Sequence, residues 1–143
     1  MAKEYRLGFV RKMINNMVTG RIAKGKGADS MFLLTTLGRK SGQERTNPIT
    51  IVSKDGLRYL VAPYGSVGWV HNLRASGLAE LSRGGTQQEI AVAEVMGEAA
   101  APILKQYVRE VKVVRPFFDV AHDAPVSDFA AEAANHPVFQ IKT

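Results

Sequence analysis

The chain contains no cysteine. That absence removes disulfide scaffolds, thiolate zinc sites, iron–sulfur clusters and cysteine nucleophiles together. No apolar run approaches the ~18 residues of a membrane-spanning helix. The basic N-terminus lacks the continuous apolar stretch and small-residue cleavage site of a signal peptide, so the sequence predicts a cytoplasmic protein. The three histidines, His71, His122 and His136, are widely spaced and form no paired ligand pattern, so no metal is expected. His71, nearest the motifs described below, is the one that could donate a proton to a ligand. Ser41 and Ser66 have no His or Asp partner at motif spacing, which leaves nucleophilic catalysis unsupported. Asp119 and Asp123, with His122 between them, read as a helix face or cap and not as an acid–base pair. Internal repeats, low-complexity tracts and interdomain linkers are absent as well.

What remains is a chain of 143 residues, 45% hydrophobic and 22% charged. That composition is globular and the length suits one domain, residues 1–143, with a core that needs no covalent staple. The net charge of +6 is unevenly placed. Residues 1–45 carry ten basic side chains against three acidic ones, and the rest of the chain is close to balance with nine against ten. A basic block of this kind either solvates one face or meets an anionic partner: nucleic acid, lipid headgroups or a polyanionic small molecule. Aromatic residues are not interleaved with it and no nucleic-acid-binding motif appears, so nucleic acid is not an expected partner.

Hydrophobic periodicity supplies the elements. Residues 3–23 lack proline and place Leu7, Val10, Ile14, Met17 and Val18 at three- and four-residue steps, an amphipathic helix inside a basic segment over 1–26. Gly25 and Gly27 break it. Strands are predicted over 31–37, 46–53, 57–62, 78–82, 88–95 and 138–141. Pro48 favours an edge or bulge position for the second strand, and Lys54-Asp55-Gly56 marks a hairpin turn. Helices are predicted over 69–76, stopped by Gly77, over 98–113, and over 128–134. The order β-β-β-α-β-β-α implies a small antiparallel α+β domain, and a six-stranded barrel with flanking helices fits the count.

The sharpest chemical feature is Thr35-Thr36-Leu37-Gly38-Arg39-Lys40-Ser41-Gly42, with Arg45 three residues on. A tight connection between strands leaves backbone N–H groups unpaired, and its glycines let them converge on an anion. Ser41 adds a hydroxyl, and Arg39, Lys40 and Arg45 add forked or point cations. The pattern is not a P-loop, because the second glycine follows the lysine. The competing reading is an ordinary polar hairpin. A second cluster is Ala62-Pro63-Tyr64-Gly65 followed by Trp69 and Asn72-Leu73. Tyr64 and Trp69 offer planar apolar surface and Asn72 a two-way amide. The competing reading makes Trp69 and Leu73 core residues and Asn72 a pin for the preceding loop.

Together, Leu34 to Gly42, Arg45-x-Asn47-Pro48, Val61-Ala62 and Trp69-x-x-Asn72-Leu73 resemble the deazaflavin-dependent nitroreductase family, also described as deazaflavin-dependent quinone reductases. The likeness covers roughly residues 30–82. It implies a split β-barrel, reduced coenzyme F420 as hydride donor, quinone, nitroaromatic or related acceptors, and an actinobacterial or similar host. By the same resemblance, Arg39, Lys40, Ser41, Gly42 and Arg45 bind the cofactor's phosphodiester and the start of its oligoglutamate tail. Thr35 belongs with that loop. Pro48, Ile49 and Thr50 then line the deazaflavin ring on one side and Ala62, Pro63 and Tyr64 on the other, and Trp69 and Asn72 are counted with them as cofactor-binding residues. The basic N-terminal helix sits where family members place cations near the tail or the membrane. Two departures stand out: the link Tyr64 to Gly68 is short, and no tyrosine follows Tyr107, so no proton donor is carried over and no catalytic side chain is assigned. The alternatives are an FMN-binding split barrel, a non-catalytic deazaflavin carrier, and a peripheral membrane protein.

Overall fold

The computed structural model describes residues 20–22, 25 and 30–142. The amphipathic helix expected over 3–23 lies outside the described residues except at 20–22, which are helical.

Six strands, β1 (Met31–Leu37), β2 (Glu44–Lys54), β3 (Leu57–Val61), β4 (Leu78–Arg83), β5 (Thr86–Val95) and β6 (Val138–Ile141), close into a barrel in the order β1-β2-β3-β6-β5-β4. Every neighbouring pair is antiparallel. Two hairpins use two-residue turns with both central residues at positive φ: Asp55 and Gly56 between β2 and β3, and Gly84 and Gly85 between β4 and β5. That geometry matches the right-handed twist of the strands it joins. β2 begins at Glu44 and β5 at Thr86, two residues earlier than alternation alone suggests, because each hairpin carries its ladder up to the turn.

The ladders around the barrel differ in length. β2 meets β3 only over Ile51–Lys54, whereas its first half pairs with β1 alone. Pro48 lies in that half, where the missing N–H leaves the open side without a ladder to break.

Alternation along the strands separates two cores. Leu34, Ile49, Ile51, Leu60, Leu81, Ile90, Phe139 and Ile141 point inward, and Trp69, Val70 and Leu73 of α1 (Gly68–Ser76) join the same interior cluster. Helix α1 ends at Gly77, whose φ of 69° and N–H bond to the Leu73 carbonyl at 2.7 Å form a left-handed cap. The outward faces of β2, β3 and β6 supply Val52, Tyr59, Val61 and Val138 to a second core against α2 (Ala101–Glu110) and the 3-10 segments that follow it. Phe129 and Leu104 are fully buried there, each contributing about 2–3 kcal/mol of apolar burial.

The helix expected over 98–113 is divided. A 3-10 turn, Gly97–Ala99, precedes α2, and a second 3-10 segment, Lys112–Phe117, follows it. Pro102 explains the start, since a proline without an N–H fits only the first helical turn. The expected helix at 128–134 is also 3-10 in form and spans Val126–Ala134. At the opposite edge, Arg83 donates to the carbonyls of Met31 at 2.8 Å and Gly25 at 3.2 Å, which ties the N-terminal entry to the barrel.

Candidate functional site

The connection between β1 and β2 is a closed turn. The Gly38 N–H donates to the Gln43 carbonyl at 2.7 Å, and the Gly42 N–H donates to the Gly38 carbonyl at 2.8 Å. Gly42 adopts a φ of 70°, a conformation that L side chains rarely take. Ser41 Oγ accepts the Gln43 N–H at 3.2 Å, so its side chain braces the turn and keeps its own proton to donate. Arg39, Lys40, Ser41, Gly42 and Arg45 are all exposed. Among the described residues, no carboxylate pairs with Arg39, Lys40 or Arg45. Register places Arg45 opposite Thr36 and Glu44 opposite Leu37, so Arg45 lies on the face of β2 that carries Ile49 and Ile51, at the exposed end of the strand beside the turn.

Asn72 holds this turn from within. It lies on α1 and is only 3% exposed. Its Oδ1 accepts the Arg39 backbone N–H at 3.1 Å and Arg39 Nη1 at 3.2 Å, and its Nδ2 donates to Thr36 Oγ1 at 3.0 Å. Both faces of the amide are therefore used within the protein. One side-chain amide fixes the end of β1, the backbone of the basic turn and the direction of its first arginine. Thr35 sits one strand residue earlier on the opposite face, with its hydroxyl 2.9 Å from that of Thr46.

The remaining sequence-predicted residues divide by face. On the unpaired half of β2, Ile49 is buried in the barrel interior, while Pro48 and Thr50 are half-buried and alternate to the outer face. Ala62 is buried at the end of β3, and Pro63, Tyr64 and Gly65 follow it half-buried. Trp69 is 7% exposed and packs against Phe139 at a centroid distance of 6.3 Å, which makes its ring part of the interior. The link 62–68 leads directly into α1, the helix that carries Asn72, so α1 supports both clusters. Arg74 of the same helix bridges Glu94 through two bonds of 2.8 and 2.9 Å and reaches Ser66 at 3.3 Å. The hydrogen bond to Glu94 raises the pKa of Arg74.

Sequence reasoning passed over a group behind Tyr64. The Tyr64 ring meets Phe117 edge-on at 4.9 Å, and Phe118 stacks on His136 at 3.8 Å with an interplanar angle of 15°. His136 is 4% exposed and Glu132 is 3% exposed. Glu132 Oε1 accepts the backbone N–H groups of Asp119 at 2.7 Å and Val120 at 3.0 Å, and Oε2 lies 3.5 Å from His136 Nε2. Burial pulls the pKa of His136 below its ordinary value, against Glu132 and the carbonyls of Pro63, Ala62 and Phe117, which all favour the proton. Tyr107 is also buried, and burial reinforced by Tyr64 keeps its phenol protonated far above neutral pH. The only sequence signal for this group was a Glu and a His four residues apart, a spacing that usually marks a solvated pair.

Chemically, the turn at 38–42 offers a phosphate or carboxylate group three cations and the Ser41 hydroxyl. The N–H groups of Gly38, Arg39, Gly42 and Gln43, which the sequence led one to expect free to converge on an anion, are instead bonded within the protein, because the turn closes on itself and on Asn72. The half-buried strip from Pro63 to Tyr64 offers flat apolar contact. Among the described residues no cluster of His, Asp and Glu could hold a metal ion, and no helix is long and apolar enough to cross a membrane.

Comparison with known proteins identifies the fold and the family. No curated protein matches the sequence. Among solved structures, the chain is similar to an F420-H2 dependent reductase, FDR-A, at 22% identity and a TM-score of 0.54, covering 80% of this chain and 95% of that one. It is also similar to a NimC/NimA family protein from Clostridium acetobutylicum, at 13% identity and a TM-score of 0.55, with 89% and 81% covered. General stress protein 26 from Bacillus anthracis aligns at 9% identity and a TM-score of 0.53, with 87% and 88% covered. At these identities the likeness establishes the fold, a split β-barrel. The family model for F420H(2)-dependent quinone reductase matches residues 5–119, most of the chain, and the protein therefore belongs to the F420H(2)-dependent quinone reductase family.

Proposed function

We propose that the turn at 38–42 is the anchor for the charged part of coenzyme F420 and that the strip Pro63–Tyr64 bounds the place where its ring meets the acceptor. The single observation that supports this most is the basic turn itself. Three exposed cations with no carboxylate partner among the described residues surround a turn locked by Asn72. F420H2, when bound, supplies the hydride, and the acceptor is a quinone.

Each residue then has a physical task. Lys40 and Arg45 attract and hold phosphate and carboxylate oxygens, Arg39 does so from a side chain already steered by Asn72, and Ser41 donates its hydroxyl. Pro48 and Thr50 present the outer face of the unpaired half of β2 to the ring. Ala62, Pro63 and Tyr64 close the other side and keep water from the reacting faces. Trp69 and Asn72 act from behind, through the interior and the turn. Nitroaromatic compounds, flat and electron-poor like quinones, fit the same surface. The basic segment over 1–26 gives the protein a means of approaching an anionic membrane in which a lipophilic quinone is dissolved.

The test is a fluorescence titration with F420. Saturable binding is expected, weakened about fivefold by Lys40→Ala and again by Arg45→Ala, which corresponds to about 1 kcal/mol for each exposed cation. F420H2 oxidation with menadione is expected in the same preparation. No saturable binding would remove the assignment of the turn, and binding without turnover would leave a carrier.

A further inference from the structure

The Glu132–His136 group is more polar than a structural staple requires. Two of its buried atoms, Glu132 Oε2 and His136 Nδ1, have no hydrogen-bond partner. Burying a carboxylate and an imidazole against aromatic rings carries a desolvation cost that an apolar pair would not. What the pair holds is specific. Glu132 fixes the backbone at Asp119 and Val120, just past Phe117 and Phe118. His136 stacks on Phe118 and faces the carbonyls of Pro63, Ala62 and Phe117. The chain around His136 touches the same strip again: the Ala62 N–H donates to the Pro137 carbonyl at 2.9 Å. A Cβ on Gly65 would stand 3.4 Å from the Asn135 carbonyl oxygen. Two separate segments, 62–65 and 117–120, therefore meet on this pair, and their outer contact is the edge-on ring pair Tyr64–Phe117.

We propose that Glu132 and His136 are positioning residues for the acceptor: they set the Tyr64–Phe117 wall and thereby the affinity for a flat quinone, without touching quinone or cofactor. This rests on the reading that Ala62–Tyr64 bounds the acceptor. The cofactor's charged stem is held elsewhere, by a turn braced through Asn72, so the two affinities separate.

Glu132→Ala, Glu132→Gln and His136→Phe test the proposal. Each is assayed for the KM and kcat of menadione reduction by F420H2, for the Kd of F420, and for amide hydrogen exchange. Glu132→Ala and His136→Phe are expected to raise the menadione KM at least fivefold, with kcat and the F420 Kd within twofold of wild type. Glu132→Gln keeps a carbonyl oxygen for the Asp119 and Val120 amides and is expected to restore the KM to within twofold. Exchange is expected to accelerate in 62–65 and 117–120 and not in the barrel strands. An unchanged KM in both Glu132→Ala and His136→Phe overturns the proposal. So does a loss shared equally by KM, F420 binding and barrel exchange, which would mark a general staple. Should Glu132→Ala fail to fold, His136→Phe decides by the same criteria. A wild-type protein inert towards F420H2 and menadione refutes the functional reading instead, and hydrogen exchange then judges the pair: acceleration confined to the two segments supports it, uniform acceleration refutes it.

Discussion

Replacing Asn72 by Ala deletes three hydrogen bonds at once: two into Oδ1 from Arg39 and one from Nδ2 to Thr36. Arg39 is exposed, so water can satisfy its donors. Thr36 is 2% exposed, and its hydroxyl keeps no replacement partner. A net bond contributes about 1 kcal/mol, and an orphaned buried hydroxyl costs about 1–3 kcal/mol, so a loss of about 2–3 kcal/mol is expected. For a domain of this length that lowers the melting temperature by roughly 6–12 °C. Asn72→Asp separates structure from ligand. Its carboxylate accepts both Arg39 donors as charge-assisted bonds, and the Thr36 hydroxyl turns to donate to it. Stability should stay within about 1 kcal/mol of wild type, yet a negative charge now sits behind the turn proposed to hold the cofactor's anionic stem. The F420 Kd should rise about tenfold, which is about 1.4 kcal/mol. Thermal unfolding by circular dichroism and the fluorescence titration read the two effects. An Asn72→Ala protein that melts within about 2 °C of wild type, or an Asn72→Asp protein that binds F420 normally, would refute the reasoning.

Two other predictions follow from single residues. Gly42→Ala has open space around it and is strained only by its φ of 70°; a loss of about 1 kcal/mol and weaker F420 binding are expected from melting and titration. His136 titrates lower in the folded protein than in the unfolded chain, because burial disfavours its charged form. The unfolded chain therefore binds the proton first, and stability is complete above pH ~6.5 and falls as the pH drops below it. Urea midpoints between pH 7 and pH 5 should decline more steeply for wild type than for His136→Phe, and parallel slopes would contradict the assignment.

The sequence was legible where chemistry is local. Glycines on either side of Arg39-Lys40-Ser41 announce a tight turn, alternation announces the strands, and Gly77 announces the end of α1. A six-stranded barrel fitted the strand count, but the insertion of β6 between β3 and β5 was not legible. The interior place of Trp69 was one of two readings open for it, and its four-residue spacing from Leu73 already pointed inward. What was not legible depends on contacts between distant residues. Asn72 reaches Arg39 and Thr36 across more than thirty positions, and nothing in its own neighbourhood distinguishes a ligand contact from an internal brace. Glu132 and His136 look like a surface pair until Phe118, Val120 and Pro63 close over them. The 3-10 form of Val126–Ala134 is likewise set by packing, because the choice between i+3 and i+4 bonding is too small in energy for composition to decide.

The position of β6 has a consequence for biosynthesis. This four-residue strand lies between β3 and β5 and pairs with both. A ribosome delivers it after every other wall of the cylinder. Until residues 138–141 emerge, β3 and β5 each present an unsatisfied ladder, the kind of margin on which nascent chains cross-associate. Truncation just before Val138 should therefore yield insoluble polypeptide, and docking of the final strand is the event that makes the protein safe as well as complete.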